Sequence, residues 1–286
     1  MSVEESIQLA TAPLSTGVRV NYAEKGNQSG EAIIFLHGYT DSWVSFRRVL
    51  PLLSPYYYHA IALSVRGHGD SEKPQCCYTL NDFAADINAF MDALGIEEAT
   101  LVGASGGSFM AQRVALDYPH RVSRLVLISS AATLLDNEAV MGLGEEMLAL
   151  EDPISPEFVR EWQEVNVYHP VPDEFFEKMV SESLKIPARV WRDYWEGVVL
   201  APDHASRLGE IKAPTLILWG EQDAVFSRED PERLAAAIPG ARLKVYPDTG
   251  HAVHWERPEQ VVRDLEEFMK GTRAHSATAT ETEERG

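Results

Sequence analysis

The 286-residue chain contains only two cysteines, and they are adjacent, at Cys76 and Cys77. Neighbouring cysteines rarely bridge each other, and two thiols cannot form a disulfide framework, so we expect a reduced pair in a surface loop. This cysteine usage argues against a small disulfide-stabilised secreted domain and favours a reducing cytoplasm. The first residues are acidic and lack an apolar stretch, so we expect no signal peptide.

Basic residues and long hydrophobic runs are also scarce. The chain has 25 Lys and Arg against 44 Asp and Glu, which gives a formal net charge of −19. This excess of acid argues against nucleic acid or an anionic membrane surface as a partner. No apolar run approaches the ~20 residues that a membrane-spanning helix needs. We therefore expect a cytoplasmic protein without nucleic acid or membrane partners, with the oligomeric state left open and a homodimer as one alternative.

The sequence does contain short apolar, β-branched runs that alternate with amphipathic stretches. This alternation predicts an α/β fold with a mostly parallel sheet. The predicted strands are Ile7–Ala12, Val18–Glu24, Ala32–Leu36, His59–Leu63, Ala99–Val102, Val122–Ile128, Thr215–Trp219 and Arg242–Tyr246, the first two forming a hairpin. The predicted helices include Trp43–Leu53, Leu80–Leu94, Phe109–Tyr118 and Pro258–Met269.

The strand signal disappears between residues 134 and 205. A long insertion without strands predicts a helical cap over the carboxyl edge of the sheet, where ligands bind in such folds. This cap segment carries 16 acidic against 5 basic residues, an excess that disfavours anionic substrates. The core then comprises 1–133 and 206–270, and we expect 271–286 to form a disordered tail. The cap segment also holds Trp162, Trp191 and Trp195.

A serine stands between two close glycines at residues 103–107, Gly-Ala-Ser-Gly-Gly. It follows an apolar strand and precedes a helical stretch, which is the G-x-S-x-G pattern of a nucleophile elbow. A β-carbon at Gly103 or Gly107 would collide with neighbouring backbone in so tight a turn. The turn would lift the Ser105 hydroxyl clear of the sheet, at the N-terminus of the next helix. Ser105 is therefore the predicted nucleophile, with a structural turn serine as the alternative.

A serine nucleophile needs a base within hydrogen-bond reach, and the base needs a carboxylate that orients it. Asp223 lies just past the predicted strand Thr215–Trp219, and His251 just past Arg242–Tyr246, so both would lie at the edge of the sheet that holds Ser105. The chain order Ser, Asp, His is the order expected with this elbow. A helix N-cap is the alternative for the aspartate, and a surface loop for the histidine. The fallback acids are Glu221 and Asp248.

Together these segments resemble the α/β-hydrolase family, in the capped branch that includes small esterases, lactonases, carbon–carbon bond hydrolases and epoxide hydrolases. The matching segments are Leu36-His37-Gly38, Arg66-Gly67-His68-Gly69-x-Ser71, the elbow, Leu218-Trp219-Gly220-x-x-Asp223, and Gly250-His251 with Glu256-x-Pro258. The resemblance implies an eight-stranded sheet with helices on both faces. It also implies that Ser105 is the nucleophile, His251 the general base and then acid, and Asp223 its orienting carboxylate. The backbone N–H groups of Tyr39 and Gly106 would form the oxyanion hole.

The sequence departs from the family pattern on both sides of the serine. Ala104 and Gly106 are smaller than the residues that relatives carry there, which predicts extra space near the nucleophile. A serine nucleophile argues against epoxide hydrolases and haloalkane dehalogenases, which use aspartate. Ser129 and Ser130 occupy the alternative family position of the acid, which favours Asp223.

We therefore expect a serine hydrolase that cleaves a carboxylic ester or lactone of a small, neutral, mainly apolar substrate through an acyl-enzyme. No cofactor and no metal is expected, because no carboxylate or cysteine cluster supports His251 and His254 as a metal site. Trp162, Trp191 and Trp195 are candidate substrate contacts, with a place in the core of the cap as the alternative. Carbon–carbon hydrolysis of a diketone-like substrate, and a small-molecule receptor on the same scaffold, are the rival interpretations.

Overall fold

A computed structural model describes residues 7–201 and 204–283, with side chains as far as Thr272. Its strands are β1 Gln8–Pro13, β2 Arg19–Gly26, β3 Glu31–Leu36, β4 Tyr58–Ser64, β5 Ala99–Ala104, β6 Val122–Ile128, β7 Thr215–Gly220 and β8 Arg242–Tyr246. They form one sheet in the order β1-β2-β4-β3-β5-β6-β7-β8. The pairings β1–β2 and β2–β4 are antiparallel, and the other five are parallel. The predicted eight-stranded, mostly parallel sheet is confirmed.

Ten α-helices accompany the sheet in the described part of the chain. They are α1 Leu80–Leu94, α2 Gly106–Asp117, α3 Glu138–Met141, α4 Gly144–Leu148, α5 Pro156–Glu164, α6 Asp173–Ser183, α7 Ala188–Tyr194, α8 Glu229–Ala237, α9 Val253–Glu256 and α10 Pro258–Glu283. A π-helical turn, Trp195–Val199, continues α7. Helix α1 has the predicted bounds because Thr79 and Asp82 form a capping box and Gly95, at φ 69°, ends the helix.

The two faces of the sheet are covered by different helices. In β3, Ile34 and Leu36 belong to the core cluster that includes residues of α1, α2 and α8. Their neighbours Ile33 and Phe35 belong to the other cluster, with residues of α10. Because side chains alternate across a strand and both faces are covered, the central strands are mostly apolar on both faces. The predicted helices on both faces are confirmed.

The structure corrects the prediction of one helix over residues 43–53. That stretch forms two short 3₁₀ turns, Trp43–Phe46 and Leu50–Leu52. The second turn contains Pro51, which has no backbone N–H and cannot sit inside a longer α-helix. Both turns lie in the connection from β3 to β4, its parallel neighbour in the sheet.

The insertion between β6 and β7 contains α3 to α7 and no strand among the residues that the structure describes. Helix α10 extends into the segment from residue 271, for which the sequence predicts disorder. The division into core, cap and tail stays a prediction. Within the described ranges, none of the helices combines the length and the apolar character that crossing a membrane requires.

Cys76 and Cys77 form a disulfide bond in the exposed loop that precedes α1. The expectation of a reduced pair is therefore wrong for this structure. Cys77 adopts a φ of 77°, the left-handed conformation, which side chains rarely take outside turns. This local backbone geometry is not visible in the residue pattern.

Candidate active site

Ser105 occupies a strained turn between β5 and α2. Its backbone angles are φ 48° and ψ −120°, a conformation that non-glycine residues adopt mainly at functional sites. A β-carbon on Gly103 would lie 2.6 Å from the Ser108 Cα, and one on Gly107 would overlap the carbonyl groups of Leu36 and His37. Both glycines are therefore required by the close approach of backbone, as the sequence predicts.

His251 and Asp223 lie in contact at the ends of β8 and β7. The Nδ1 atom of His251 is 2.9 Å from each carboxylate oxygen of Asp223. The Asp223 side chain is fully buried, and its Oδ1 also accepts hydrogen bonds from the backbone N–H groups of Val225, at 2.8 Å, and Phe226, at 3.0 Å. This carboxylate is thus held by three donors. The N-cap residue of α8 is Arg228, so Asp223 does not have the alternative role of capping that helix. Because Nδ1 faces Asp223, Nε2 is the ring nitrogen of His251 that does not contact this carboxylate.

A cavity of about 330 Å³ lies over the carboxyl end of the sheet, and both Ser105 and His251 line it. Such a volume is typical of small-molecule sites. Its wall is mostly apolar and aromatic, with contributions from Phe109, Leu134, Val140, Leu143, Phe158, Trp162, Trp195, Val198, Val199, Phe226 and Trp255. The charged residues described in the lining are Asp41, Glu146 and Glu161, and no lysine or arginine is among them. Neutral ligands therefore suit this wall better than anions.

Two of the three tryptophans predicted to contact substrate line the cavity, and the third does not. Trp162 and Trp195 line the cavity, whereas Trp191 is fully buried outside its lining. Its ring packs 5.5 Å from the Tyr39 ring, and its carbonyl accepts the hydrogen bond of the Tyr39 hydroxyl. Trp191 therefore belongs to the buried apolar core in this structure, and its role as a substrate contact stays a prediction.

The loop after β3 holds Tyr39 and Gly38 against the serine. A β-carbon on Gly38 would lie 3.5 Å from the Cβ of Ser105. His37 supports this loop: its Nε2 accepts the N–H of Val65 at 3.1 Å, so its Nδ1 carries the proton and donates to the Gly38 carbonyl at 2.8 Å. Burial lowers the pKa of His37 well below its usual value, which keeps the ring neutral.

The backbone amides of Tyr39 and Gly106 are neighbours. A β-carbon on Gly106 would lie 3.3 Å from the Tyr39 nitrogen, and it would collide with the hydroxyl of Tyr194. The prediction that Gly106 leaves extra space near the nucleophile is therefore wrong, because a tyrosine of α7 fills that space. No motif marks Tyr194 in the sequence, and only the packing of α7 over the elbow reveals it.

Asp41 is a second residue that sequence analysis missed. Its carboxylate is buried, lines the cavity, and accepts hydrogen bonds from the Ser45 hydroxyl at 3.0 Å and the Gln163 amide at 3.1 Å. Burial raises the pKa of Asp41 to about 6, although both hydrogen bonds oppose that shift. A buried carboxylate with few partners is expected to destabilise the folded state once it is charged.

We expect the substitution Asp41→Asn to stabilise the protein at neutral pH. Folded Asp41 titrates near pH 6 and the unfolded carboxyl near 3.8, so stability falls as the pH rises through this window. Above it the full penalty is about 3 kcal/mol. Asparagine carries no charge, and its amide can accept a hydrogen bond from Gln163 and donate one to Ser45. Urea unfolding should show the gain at pH 7.5 and its disappearance at pH 3.5.

The exposed Asp248 provides the matched control for that measurement. Asp248→Asn should change the free energy of unfolding by less than about 0.5 kcal/mol at either pH. A gain for Asp41→Asn of the same size at pH 3.5 and pH 7.5 would contradict the assignment to a buried charge.

His254, the candidate metal partner of His251, bonds to protein instead. Its Nε2 lies 2.9 Å from the Ser45 hydroxyl, and burial lowers the pKa of His254 to about 3. Within residues 7–201 and 204–283, no three or more His, Cys, Asp or Glu side chains are grouped to hold a metal ion. Ser129 donates to the His251 carbonyl, so the alternative position of the acid holds a hydroxyl that supports the histidine loop.

The chain is similar in sequence to known hydrolases over most of its length. Residues 31–258 match the family model described as the alpha/beta hydrolase fold. A 2-hydroxy-6-oxononadienedioate/2-hydroxy-6-oxononatrienedioate hydrolase from Burkholderia vietnamiensis is 30% identical over 272 residues, which cover 89% of this chain and 92% of that protein.

Solved structures with the same architecture include hydrolases of more than one kind. A meta-cleavage product hydrolase from Pseudomonas fluorescens is 26% identical, with a TM-score of 0.77 over 92% of this chain and 97% of that one. An esterase from Exiguobacterium antarcticum is 23% identical, with a TM-score of 0.78 over 91% of this chain and 99% of that one. At 23% identity the esterase supports the fold alone.

Proposed function

The chain belongs to the α/β-hydrolase fold family, and from that premise we propose that it is a serine hydrolase that cleaves a carboxylic ester or lactone. The observation that carries the proposal is that His251, joined to Asp223 at 2.9 Å, lines the same cavity as the strained Ser105. A hydroxyl, an imidazole and a carboxylate at one rim of a sheet are the parts that nucleophilic acyl transfer needs.

In the proposed reaction Ser105 Oγ attacks the substrate carbonyl carbon while Nε2 of His251 takes the hydroxyl proton. Asp223 accepts the Nδ1–H bond, which holds the ring in the required tautomer and stabilises the imidazolium that forms. The carbonyl oxygen becomes an oxyanion and accepts hydrogen bonds from the backbone N–H groups of Tyr39 and Gly106. His251 then protonates the leaving group, and a water molecule that the same imidazole activates releases the acyl group from Ser105.

The substrate we propose is small, neutral and mainly apolar. The cavity of about 330 Å³ has an aromatic and aliphatic wall, and the charges described there are carboxylates. A carboxylate on the substrate would meet this wall without a cationic partner, and burial of an unpaired charge is costly. A neutral acyl chain loses water without such a penalty.

A second candidate is carbon–carbon bond hydrolysis of a diketone-like substrate by the same three residues. The 30% identity with the Burkholderia vietnamiensis hydrolase favours it. That relative's name specifies a dioate, a doubly anionic compound, and the acidic cavity wall argues against the same substrate here. A receptor on the hydrolase scaffold is the third candidate, and rapid multiple turnover would exclude it.

A substrate panel tests the proposal. We expect p-nitrophenyl butyrate to be hydrolysed with a kcat/KM at least ~10-fold above that of p-nitrophenyl hemisuccinate, which differs mainly by one carboxylate. Neutral lactones and a vinylogous diketone complete the panel, and a fluorophosphonate probe reports covalent labelling of Ser105. Turnover of the diketone alone would favour carbon–carbon hydrolysis. A preference for the hemisuccinate would contradict the proposed substrate class.

A further inference from the structure

The hydroxyl of Tyr194 is a buried polar group without a protein partner. The side chain is 1% exposed, lines the cavity beside Ser105, and its oxygen has no hydrogen-bond partner among the described residues. Buried hydroxyl groups are nearly always hydrogen-bonded, because an unmade bond is destabilising. Because Tyr194 is among the residues that line the cavity, we consider a bound ligand as the partner of its hydroxyl.

The position of that hydroxyl identifies the part of the ligand that it would meet. It lies against Gly106, where a β-carbon would collide with it, and the Tyr39 nitrogen would be 3.3 Å from the same β-carbon. The N–H groups of Gly106 and Tyr39 are the proposed oxyanion hole. The Tyr194 oxygen therefore lies beside Gly106, one of the two residues whose N–H groups form the proposed oxyanion hole.

The surrounding residues hold the phenol ring in place. The Tyr194 ring stacks on the Tyr39 ring with centroids 4.6 Å apart, and it packs edge-on against His68 at 5.7 Å. Tyr194 ends α7, directly before the π-helical turn Trp195–Val199, a rare element that is frequent at functional sites. A donor that is already oriented costs little reorganisation when the substrate reacts.

The surroundings also keep the hydroxyl protonated. Burial, and then the nearby Asp41 carboxylate, raise the pKa of Tyr194 above its ordinary value. The phenol can therefore donate a hydrogen bond across the working pH range, and it cannot act as a base. Donation is the role that a developing oxyanion requires.

From this geometry we propose that Tyr194 is a catalytic residue whose hydroxyl donates a third hydrogen bond to the substrate oxyanion, beside the N–H groups of Tyr39 and Gly106. The assignment rests on the proposed serine-hydrolase function. It also accounts for glycine at position 106, where the usual larger side chain would displace the phenol.

The test is the substitution Tyr194→Phe, which removes the donor and keeps the ring. Loss of one oxyanion donor should lower kcat for p-nitrophenyl butyrate by ~10²-fold and change KM by less than about threefold. Binding of phenylboronic acid, which becomes tetrahedral on a serine nucleophile, should weaken by a similar factor. A merely structural role would raise KM or lower the unfolding midpoint and leave kcat nearly unchanged.

Tyr78→Phe is the matched control, because that buried tyrosine donates its hydroxyl to the Pro74 carbonyl at 2.9 Å, away from the cavity lining. Its kcat and boronate affinity should stay close to those of the unmodified protein. Ser105→Ala, assayed in parallel, separates two failures. If Ser105→Ala is inactive and Tyr194→Phe keeps full kcat and boronate affinity, the inference about Tyr194 is overturned and the proposed function stands. If Ser105→Ala retains full turnover, the proposed function itself fails, and the inference with it.

Discussion

Replacement of Ser105 by alanine should abolish measurable ester hydrolysis. Without the hydroxyl no acyl-enzyme can form, and loss of the nucleophile typically lowers kcat by ~10⁴- to 10⁶-fold. Alanine adds no bulk to the turn, and Gly103 and Gly107 keep the backbone approach unchanged. The Ser105→Ala protein should therefore fold and still bind apolar ligands in the cavity, while losing labelling by the fluorophosphonate probe.

The control for that experiment is Ser181→Ala, a serine of α6 whose hydroxyl bonds to the Lys178 carbonyl in its own helix. It should retain the turnover and the labelling of the unmodified protein. Circular dichroism and thermal unfolding of both variants check that the fold is intact. A folded Ser105→Ala protein with undiminished turnover would refute the assignment of the nucleophile.

The second large effect is expected for Asp223→Asn, with a loss in kcat/KM of ~10⁴-fold. The reason lies in the contacts of Asp223 Oδ1, which accepts the N–H groups of Val225 and Phe226. In the variant these two donors would hold the amide oxygen in that place. The amide nitrogen would then face His251 and donate to Nδ1. The histidine proton would move to Nε2, which could no longer accept the proton of Ser105.

Two neighbouring carboxylates provide controls for Asp223→Asn. Glu221 and Asp248 are exposed and are the fallback acids from the sequence pattern. Glu221→Gln and Asp248→Asn should each keep kcat/KM within about threefold of the unmodified protein, because substitutions of exposed residues usually have small effects. A large loss in either of them, together with an active Asp223→Asn protein, would assign the orienting role to the other acid.

The residue pattern predicted the elements whose causes are local. Helix α1 has the bounds Leu80–Leu94 because its cap, its apolar face and its terminating glycine all lie within the same short stretch. Strand β8 likewise has the predicted bounds, Arg242–Tyr246. The prediction failed over residues 43–53, where packing and Pro51 produced two short turns in place of one helix. Local pattern decides such elements only where no tertiary contact competes with it.

The candidate site divides in the same way. The G-x-S-x-G pattern and the order Ser, Asp, His are readable in the chain because each residue follows its own strand, and parallel strands end at one edge. That reasoning predicts that Ser105, Asp223 and His251 lie at the same edge of the sheet. It does not indicate which residue of the cap segment faces them. Trp191 and Tyr194 lie about one turn apart in α7, yet Tyr194 lines the cavity and Trp191 does not.

By itself, then, the sequence determined the α/β architecture and the residues that stand at the ends of its strands, because periodicity and turn chemistry act over a few neighbouring residues. Only the tertiary structure decided the 2.9 Å contact of His251 with Asp223, the filling of the space beside Gly106 by Tyr194, and the burial of Asp41. These contacts join residues from separate elements, and their formation depends on how whole helices pack over the sheet, which no local pattern encodes.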